Sequence, residues 1–270
     1  MRHLLFVFLI VISTSSCSQN LDQLICDISD SNIVEYEHIG IGGWTGPNYT
    51  NFEELSKKAT TNQLLVLLAH ENPVVTCYAS WALIEQEYKN LPNVFKTLLI
   101  DERTVKTHSG CLINEDKISR EFYYRYWNLV QMEKAEDDVL FELDKIIIKQ
   151  EDPDWLLLCR ALDNRMYDDN YKRLIYKLGF EKNYKEAIFY LCNWHRSEYN
   201  YELQLFLVEA LKKTYFNGKN SSTYYRFLDE LIKFNNKDVH DFILHKYRTD
   251  KPNINDIENF KSLLERHNLF

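Results

Sequence analysis

The chain has 270 residues, of which 45% are hydrophobic, so it is long enough to bury a substantial core in one or two domains. It contains only 7 glycines and 5 prolines, which disfavours an all-β sandwich or barrel with its many tight turns. The net charge of −8 argues against nucleic-acid binding in general, because such binding requires clustered lysine and arginine residues.

The N-terminus has the pattern of a secretory signal peptide over residues 1–16. Met1–His3 is a short basic segment, Leu4–Ile12 is an uninterrupted apolar run, and Ser13–Ser16 are small and polar. The apolar run is too short to cross a bilayer, because a spanning helix takes about 20 residues. We therefore expect this segment to be removed on export.

Cys17 follows these small residues directly, and this arrangement resembles the lipobox of bacterial lipoproteins. In that family the cysteine thiol is acylated and the chain is cut just before it. The resemblance therefore implies lipidation of Cys17 and anchoring in a bacterial cell envelope. Thr14 stands where the lipobox usually has leucine. The alternative is ordinary cleavage near Ser15 or beyond, which would give a secreted protein.

Residues 17–50 are expected to form an irregular or β segment. Within it, Ile33–Gly43 partly alternates apolar and polar side chains and predicts a short strand. Gly43–Tyr49 predicts a turn, because its glycines and proline cannot propagate a helix.

Residues 51–270 predict an all-α domain of roughly ten helices. The first runs from Asn51 to about residue 69, because its apolar side chains recur at spacings of three and four. Asn72 followed by Pro73 predicts the start of a second helix that ends near Tyr88, since asparagine caps helices and proline suits the first position. Further helices are predicted near residues 94–100, 118–132, 137–150, 153–164, 169–179, 184–195, 199–215, 221–235, 238–248 and 255–267.

The stretch LLVLLAHENPVVTCYASWAL, residues 64–83, resembles a HEAT repeat. Asn72 and Pro73 stand in its turn, and alanines line its second helix. Many such repeats carry Asp in the turn and Arg early in the second helix, whereas this chain has Asn72 and Thr76. The resemblance implies an α-solenoid or an irregular α-α superhelix.

Five cysteines follow Cys17, an odd number that cannot pair completely within one chain. Cys77, Cys159 and Cys192 lie in apolar helical runs and are expected to be buried and free. Cys26 and Cys111 lie in loop-like segments and are the candidate disulfide. No CxxC unit is present, so zinc ribbons and thioredoxin-type redox motifs are excluded.

The densest aromatic run is FYYRYW, Phe122–Trp127. If it is exposed, its rings suit contact with a peptide, a sugar or a protein partner. The candidate contact residues are Tyr123, Tyr124, Tyr126 and Trp127. The alternative is an amphipathic helix that buries much of this run in the core.

No residue pattern indicates catalysis, a metal site or a cofactor. His70-Glu71 lacks the second histidine that a zinc-protease helix needs, because position 74 is valine. We therefore expect a non-enzymatic, envelope-anchored module that binds a protein partner and attaches to a membrane through its N-terminal lipid. The alternatives are a glycan- or peptide-binding protein that uses surface Tyr and Trp, and an envelope hydrolase.

Overall fold

The computed structural model describes residues 20–133, 137–163, 165–214, 221–250 and 257–269. The expected signal peptide and Cys17 lie outside these residues. The described residues are 68% helical and include a small three-stranded sheet. The expected helical character is therefore confirmed, but residues 51–270 are not all-α, because two of the three strands lie among them. The described residues form 14 helices where roughly ten were expected.

The chain divides into two compact units, the first ending at Ile146 and the second beginning at Ile147. The first unit combines helices with the sheet. Helix α7 crosses the boundary between the two units. The elements up to and including α7 are α1 (20–31), β1 (Val34–Ile39), α2 (Pro47–Lys58), α3 (Thr61–Leu67), α4 (Pro73–Glu85), α5 (Leu91–Ile100), β2 (Thr104–Gly110), β3 (Leu112–Lys117), α6 (Ile118–Glu133) and α7 (Asp138–Ile148).

The described part of the second unit is helical. On its longer helices the buried residues recur with helical spacing, as Leu203, Leu207 and Leu211 do. Its elements are α8 (Trp155–Ala161), α9 (Asp169–Tyr176), a π-helical turn (Lys177–Glu181), α10 (Lys185–Trp194), α11 (Asn200–Lys213), α12 (Ser221–Ile232), α13 (Lys237–Asp250) and α14 (Ile257–Arg266).

Helix α4 is the centre of the first unit. Every residue from Val74 to Ile84 is buried, and helices α2, α3 and α6 and strands β1 and β2 all pack against it. A helix that is buried on all sides has no polar face. Accordingly, Thr76 and Ser80 are the only polar residues among the buried, otherwise hydrophobic side chains of α4.

Two parts of the sequence fold differently from the expectation. The N-terminal segment contains the predicted strand as β1, but residues 20–31 form a helix that buries Leu21, Leu24 and Ile28 and was not expected. The expected single helix from Asn51 to residue 69 is broken, because Ala59 and Thr60 are extended. The Thr60 side chain accepts a hydrogen bond from the backbone of Gln63, whose side chain reaches back in a capping box, so α3 starts afresh.

The sheet has the strand order β1-β2-β3. Strands β1 and β2 are parallel, with helices α2 to α5 connecting them, and β2 and β3 form an antiparallel hairpin. The hairpin turns at Gly110, whose φ of 54° suits glycine. Neither β2 nor β3 was expected from the sequence.

The outer edge of β1 is closed by side-chain and turn contacts. The Tyr78 hydroxyl of α4 accepts a hydrogen bond from the Glu35 N–H at 2.7 Å and donates one to the Glu35 carbonyl at 3.1 Å. Further along, Ile39 and Trp44 exchange backbone hydrogen bonds of 2.9 and 3.1 Å. The outer edge of β3, in contrast, belongs to a strand whose residues are mostly exposed. The sheet therefore has one closed and one open edge.

The predicted helix start at Asn72 and Pro73 is confirmed. The Asn72 side chain accepts hydrogen bonds from the N–H groups of Val74 and Val75 at 2.8 and 3.4 Å. Its amide also donates to the carbonyl of Ser29 in α1 at 3.2 Å. Asn72 thus caps the central helix and ties α1 to it.

Arg103 secures the same turn from a distant part of the chain. Its guanidinium donates to the carbonyls of His70 and Glu71 at 2.7 and 2.9 Å and pairs with Asp101 at 2.6 Å. It also lies 3.3 Å from the hydroxyl of Thr76. Arg103 thus ties the turn before α4 to the segment that precedes β2.

Replacing the cap tests this arrangement. We expect Asn72→Ala to lower the free energy of unfolding by about 1–2 kcal/mol, because it removes both the cap and the bond to Ser29. Asn72→Asp keeps the acceptor and loses only the donor, so its loss should be about half as large. Urea unfolding measures the free energy of unfolding of both variants. An Asn72→Asp variant that is less stable than Asn72→Ala would contradict the role of Asn72 as the cap of α4.

Candidate functional site

The aromatic run Phe122–Trp127 lies in α6, and its burial agrees with the alternative of an amphipathic helix that packs much of the run into the core. Tyr123 is 1% exposed and belongs to the core, where its hydroxyl donates to Asp144 at 2.7 Å. Tyr124, Tyr126 and Trp127 are half-buried. A helix that packs on α4 must turn part of an unbroken aromatic run inward, so these residues do not form one exposed aromatic face.

The candidate disulfide is not formed in the structure. Cys26 lies on the solvent side of α1, opposite the buried residues of that helix, and Cys111 lies in the turn between β2 and β3. Both thiols are free and exposed. Cys77 and Cys192 are buried as expected, whereas Cys159 is exposed.

The most unusual group in the first unit is the carboxyl of Glu121, which is only 4% exposed. It lies in the first turn of α6. The Tyr36 hydroxyl, from the middle of β1, donates to its Oε2 at 2.6 Å. The Trp81 indole N–H, from α4, donates to its backbone carbonyl at 3.2 Å. Three elements therefore meet at one buried acid.

Burial changes the acid–base chemistry of this pair. It raises the pKa of Glu121 to about 7, against the opposing hydrogen bond from Tyr36 and with a smaller upward contribution from repulsion by Asp116. Burial and the adjacent Glu121 raise the pKa of Tyr36 far above its usual range, so its phenol stays protonated. Glu121 is thus a buried carboxyl group whose pKa lies near neutral pH, and its hydrogen-bond partner Tyr36 lines the cleft described below.

Arg125 lies one helical turn after Glu121, on the same face of α6. Its guanidinium lies 5.1 Å from the ring centre of Trp81 and 5.5 Å from that of Phe52. It also pairs with Glu85 of α4 at 2.5 Å. The aromatic rings and the carboxylate fix the direction of the guanidinium, so this part of the site is preorganised.

Tyr36 and Arg125 line an open cleft of about 500 Å³ between β1, β2 and α6. Its wall offers hydroxyl, imidazole, carboxylate, amide and guanidinium groups beside an apolar side chain, and a cleft of this kind is the usual setting for ligand recognition. The remaining lining residues are Glu37, His38, Ser109, Asn128 and Leu129.

A smaller cleft of about 280 Å³ in the second unit contains the exposed thiol of Cys159 beside Glu186 and Arg226. Partial burial, followed by the charge of Glu186, raises the pKa of Cys159. The thiol is therefore protonated at neutral pH, which makes it a poor nucleophile.

The sequence contains one feature that indicates the first cleft, although the aromatic run beside it is the more obvious pattern. Glu121 and Arg125 are four residues apart, so they share a face of α6. The burial of Glu121, however, depends on Tyr36, which is 85 residues away in the chain.

Within the described ranges, no three His, Cys, Asp or Glu side chains are grouped so that they could hold a metal ion. In comparisons with known proteins, no family model, no curated protein and no solved structure matches this chain.

Proposed function

We propose that this chain is an exported, non-enzymatic binding module that an acylated Cys17 holds on a bacterial envelope membrane. The cleft between β1, β2 and α6 is the site that receives a segment of a protein partner. The observation that carries the proposal is the fixed set of polar groups around Tyr36 and Arg125 in that cleft.

The anchor rests on the N-terminal sequence, in which a basic segment, an apolar run and small residues precede Cys17. None of the helices in the described ranges is both long and apolar enough to cross a bilayer. In this proposal, acyl chains on Cys17 supply the attachment, since each buried methylene contributes about 0.8 kcal/mol.

The cleft suits a polypeptide segment better than an apolar small molecule. Arg125 and Asn128 present donors, while Glu37 and Ser109 present acceptors, so backbone amides and polar side chains of a partner would find complementary groups. The ordered guanidinium limits the side-chain entropy that binding would otherwise cost.

We also propose that the helices of the second unit are arranged as in a solenoid. Support comes from successive contacts, because α11 packs on α12 and α12 packs on α13. Sequential packing of neighbouring helices is the pattern of α-solenoids, which offer extended binding surfaces.

A second candidate is a peptide- or glycan-binding groove in the second unit. The groove of about 440 Å³ between α11 and α13 is lined by Tyr201 and Leu205, which are both largely exposed. Exposed rings and aliphatic side chains in a groove favour contact with a peptide or a sugar face.

The anchor is tested by expressing the wild-type chain and Cys17→Ala in a Gram-negative host. We expect the wild type to gain acyl mass and partition with detergent, and the variant to do neither, because the thiol is the acylation site. Intact-mass spectrometry measures the difference. Unacylated wild-type protein cleaved elsewhere would contradict the anchor.

The cleft is tested by photocrosslinking in envelopes that contain the expressed protein. A photoreactive residue replaces Asn128, which lines the cleft, and the matched control replaces Asn170, which is exposed at the start of α9. We expect discrete adducts from position 128, and the additional substitution Arg125→Met should abolish them. None of these adducts should form from position 170. Identical products from both positions would refute the cleft as the binding site.

A further inference from the structure

Two loops at one end of the sheet carry exposed apolar side chains and no charged residue. The first follows β1 and lies in the uncharged stretch 39–52, and the second comprises the β2–β3 turn and the start of β3, in the uncharged stretch 109–114. Charged residues make up 27% of the whole chain, so both stretches depart from its composition. Their exposed apolar residues are Ile41 (99% exposed), Trp44 (69%), Leu112 (66%) and Ile113 (63%), which we call the apolar tip.

The topology of the sheet places the two loops side by side. Because β1 and β2 run parallel, their carboxyl ends meet at one end of the sheet. The Gly40 N–H donates to the Gly110 carbonyl at 2.6 Å, which joins the loops directly. The Trp44 ring lies so close to Gly40 that a Cβ there would be 2.4 Å from its Nε1, so the glycine lets the indole lie across its own loop.

The backbone of the tip faces open space at three positions, because a Cβ added to Gly42, Gly43 or Gly110 would meet no described atom within 4 Å. The four apolar side chains of the tip are largely exposed.

We propose that the apolar tip inserts into the interfacial region of the membrane to which Cys17 anchors the chain. This inference rests on the proposed anchor. Only residues 18 and 19 separate Cys17 from the described helix α1, and such a short stretch spans at most about 10 Å. An anchored first unit thus stays close to the bilayer surface.

The chemistry of the tip suits lipid. Tryptophan and aliphatic side chains are favoured where headgroups meet acyl chains, and the absence of charge avoids the cost of burying ions there. Four side chains of this size offer on the order of 500 Å², less than the roughly 800 Å² per partner of a stable protein interface. Lipids conform to a small exposed tip, whereas a second protein needs a matching surface.

The test is flotation of the chain from Ser18 onward, which lacks Cys17 and therefore its lipid, with vesicles of phosphatidylcholine and phosphatidylethanolamine. We expect the wild type to float and Ile41→Ser or Trp44→Ser to lower the bound-to-free ratio about tenfold. The matched control is Ile100→Ser, at the end of α5 in the same unit, where Ile100 is 82% exposed. It should bind as the wild type does. Binding should also persist when the salt concentration rises about tenfold, because no ion pair is involved.

Wild-type protein that does not float, or that floats equally well as Ile41→Ser, would overturn the inference. Self-association that Ile41→Ser abolishes, without vesicle binding, would also overturn it and assign the tip to a second copy of the chain. Mass analysis of Cys17 separates this inference from the anchor. If the protein is acylated but its tip does not bind vesicles, only the inference about the tip is refuted. If the protein is unacylated but its tip binds vesicles, only the proposed anchor is refuted.

Discussion

Glu121→Gln is expected to become progressively more stable than the wild type as the pH rises from about 4 to 8, gaining about 3 kcal/mol over that interval. The cause is the folded-state pKa of about 7, compared with the usual 4.5 of a glutamate. Below pH 4.5 both the folded and the unfolded chain hold the proton, so the group has no effect. Between the two values the unfolded chain releases the proton while the folded chain keeps it, which favours unfolding. Above pH 7 the full destabilisation is reached.

Urea unfolding at several pH values measures the difference between wild type and variant, which cancels the titration of all other groups. Glutamine keeps an oxygen that can accept the Tyr36 hydroxyl, so the local packing is retained. Glu53→Gln, at an exposed position in α2, is the matched control and should show no comparable trend. A stability difference between Glu121→Gln and wild type that is independent of pH would refute a buried, protonated Glu121.

Trp81→Ala is expected to lower the free energy of unfolding of the first unit by about 4 kcal/mol, the range typical of a fully buried tryptophan. Trp81 is completely buried, contacts Tyr36 and Phe52, and supports the Arg125 guanidinium. Its loss leaves a cavity under the cleft and removes the donor to the Glu121 carbonyl. The cleft should therefore lose its fixed geometry together with stability.

Because the chain has two units, unfolding should be followed by circular dichroism over the whole denaturation curve. Only the transition of the first unit should shift to lower urea. Trp81→Phe retains a ring and should lose about half as much stability, while Trp155→Ala, at an exposed position in α8, should lose less than about 1 kcal/mol. Equal losses in Trp81→Ala and Trp155→Ala would refute the central position of Trp81.

The parts of the fold that could be predicted from the sequence are those with local signals. Asn72 and Pro73 mark the start of α4, and α9 begins at Asp169, where a helix was predicted. Such caps act over three residues, so a single sequence contains all the information they need. Most of the other helices from α4 onward lie close to their predicted positions, because the spacing of their apolar residues is also a local signal.

Features that depend on distant contacts were missed. Strands β2 and β3 pair with each other and with β1, but their sequences carry charged and small residues that are weak strand signals. Helix α1 is an exception, because Leu21, Leu24, Ile25 and Ile28 recur at helical spacing, a local signal that the expectation of an irregular segment overlooked. The site does depend on distant contacts, because Glu121 becomes unusual only when Tyr36 and Trp81 cover it.

The asymmetry of the sheet edges limits how this protein can polymerise. On β1, Tyr78 and Trp44 already occupy the backbone groups of Glu35 and Ile39, so no incoming strand can use them. Two molecules that paired through β3 would form one continuous sheet with a closed β1 on each side. Such pairing consumes both open edges at once, so association through this sheet ends at a two-fold dimer and cannot grow into a fibre.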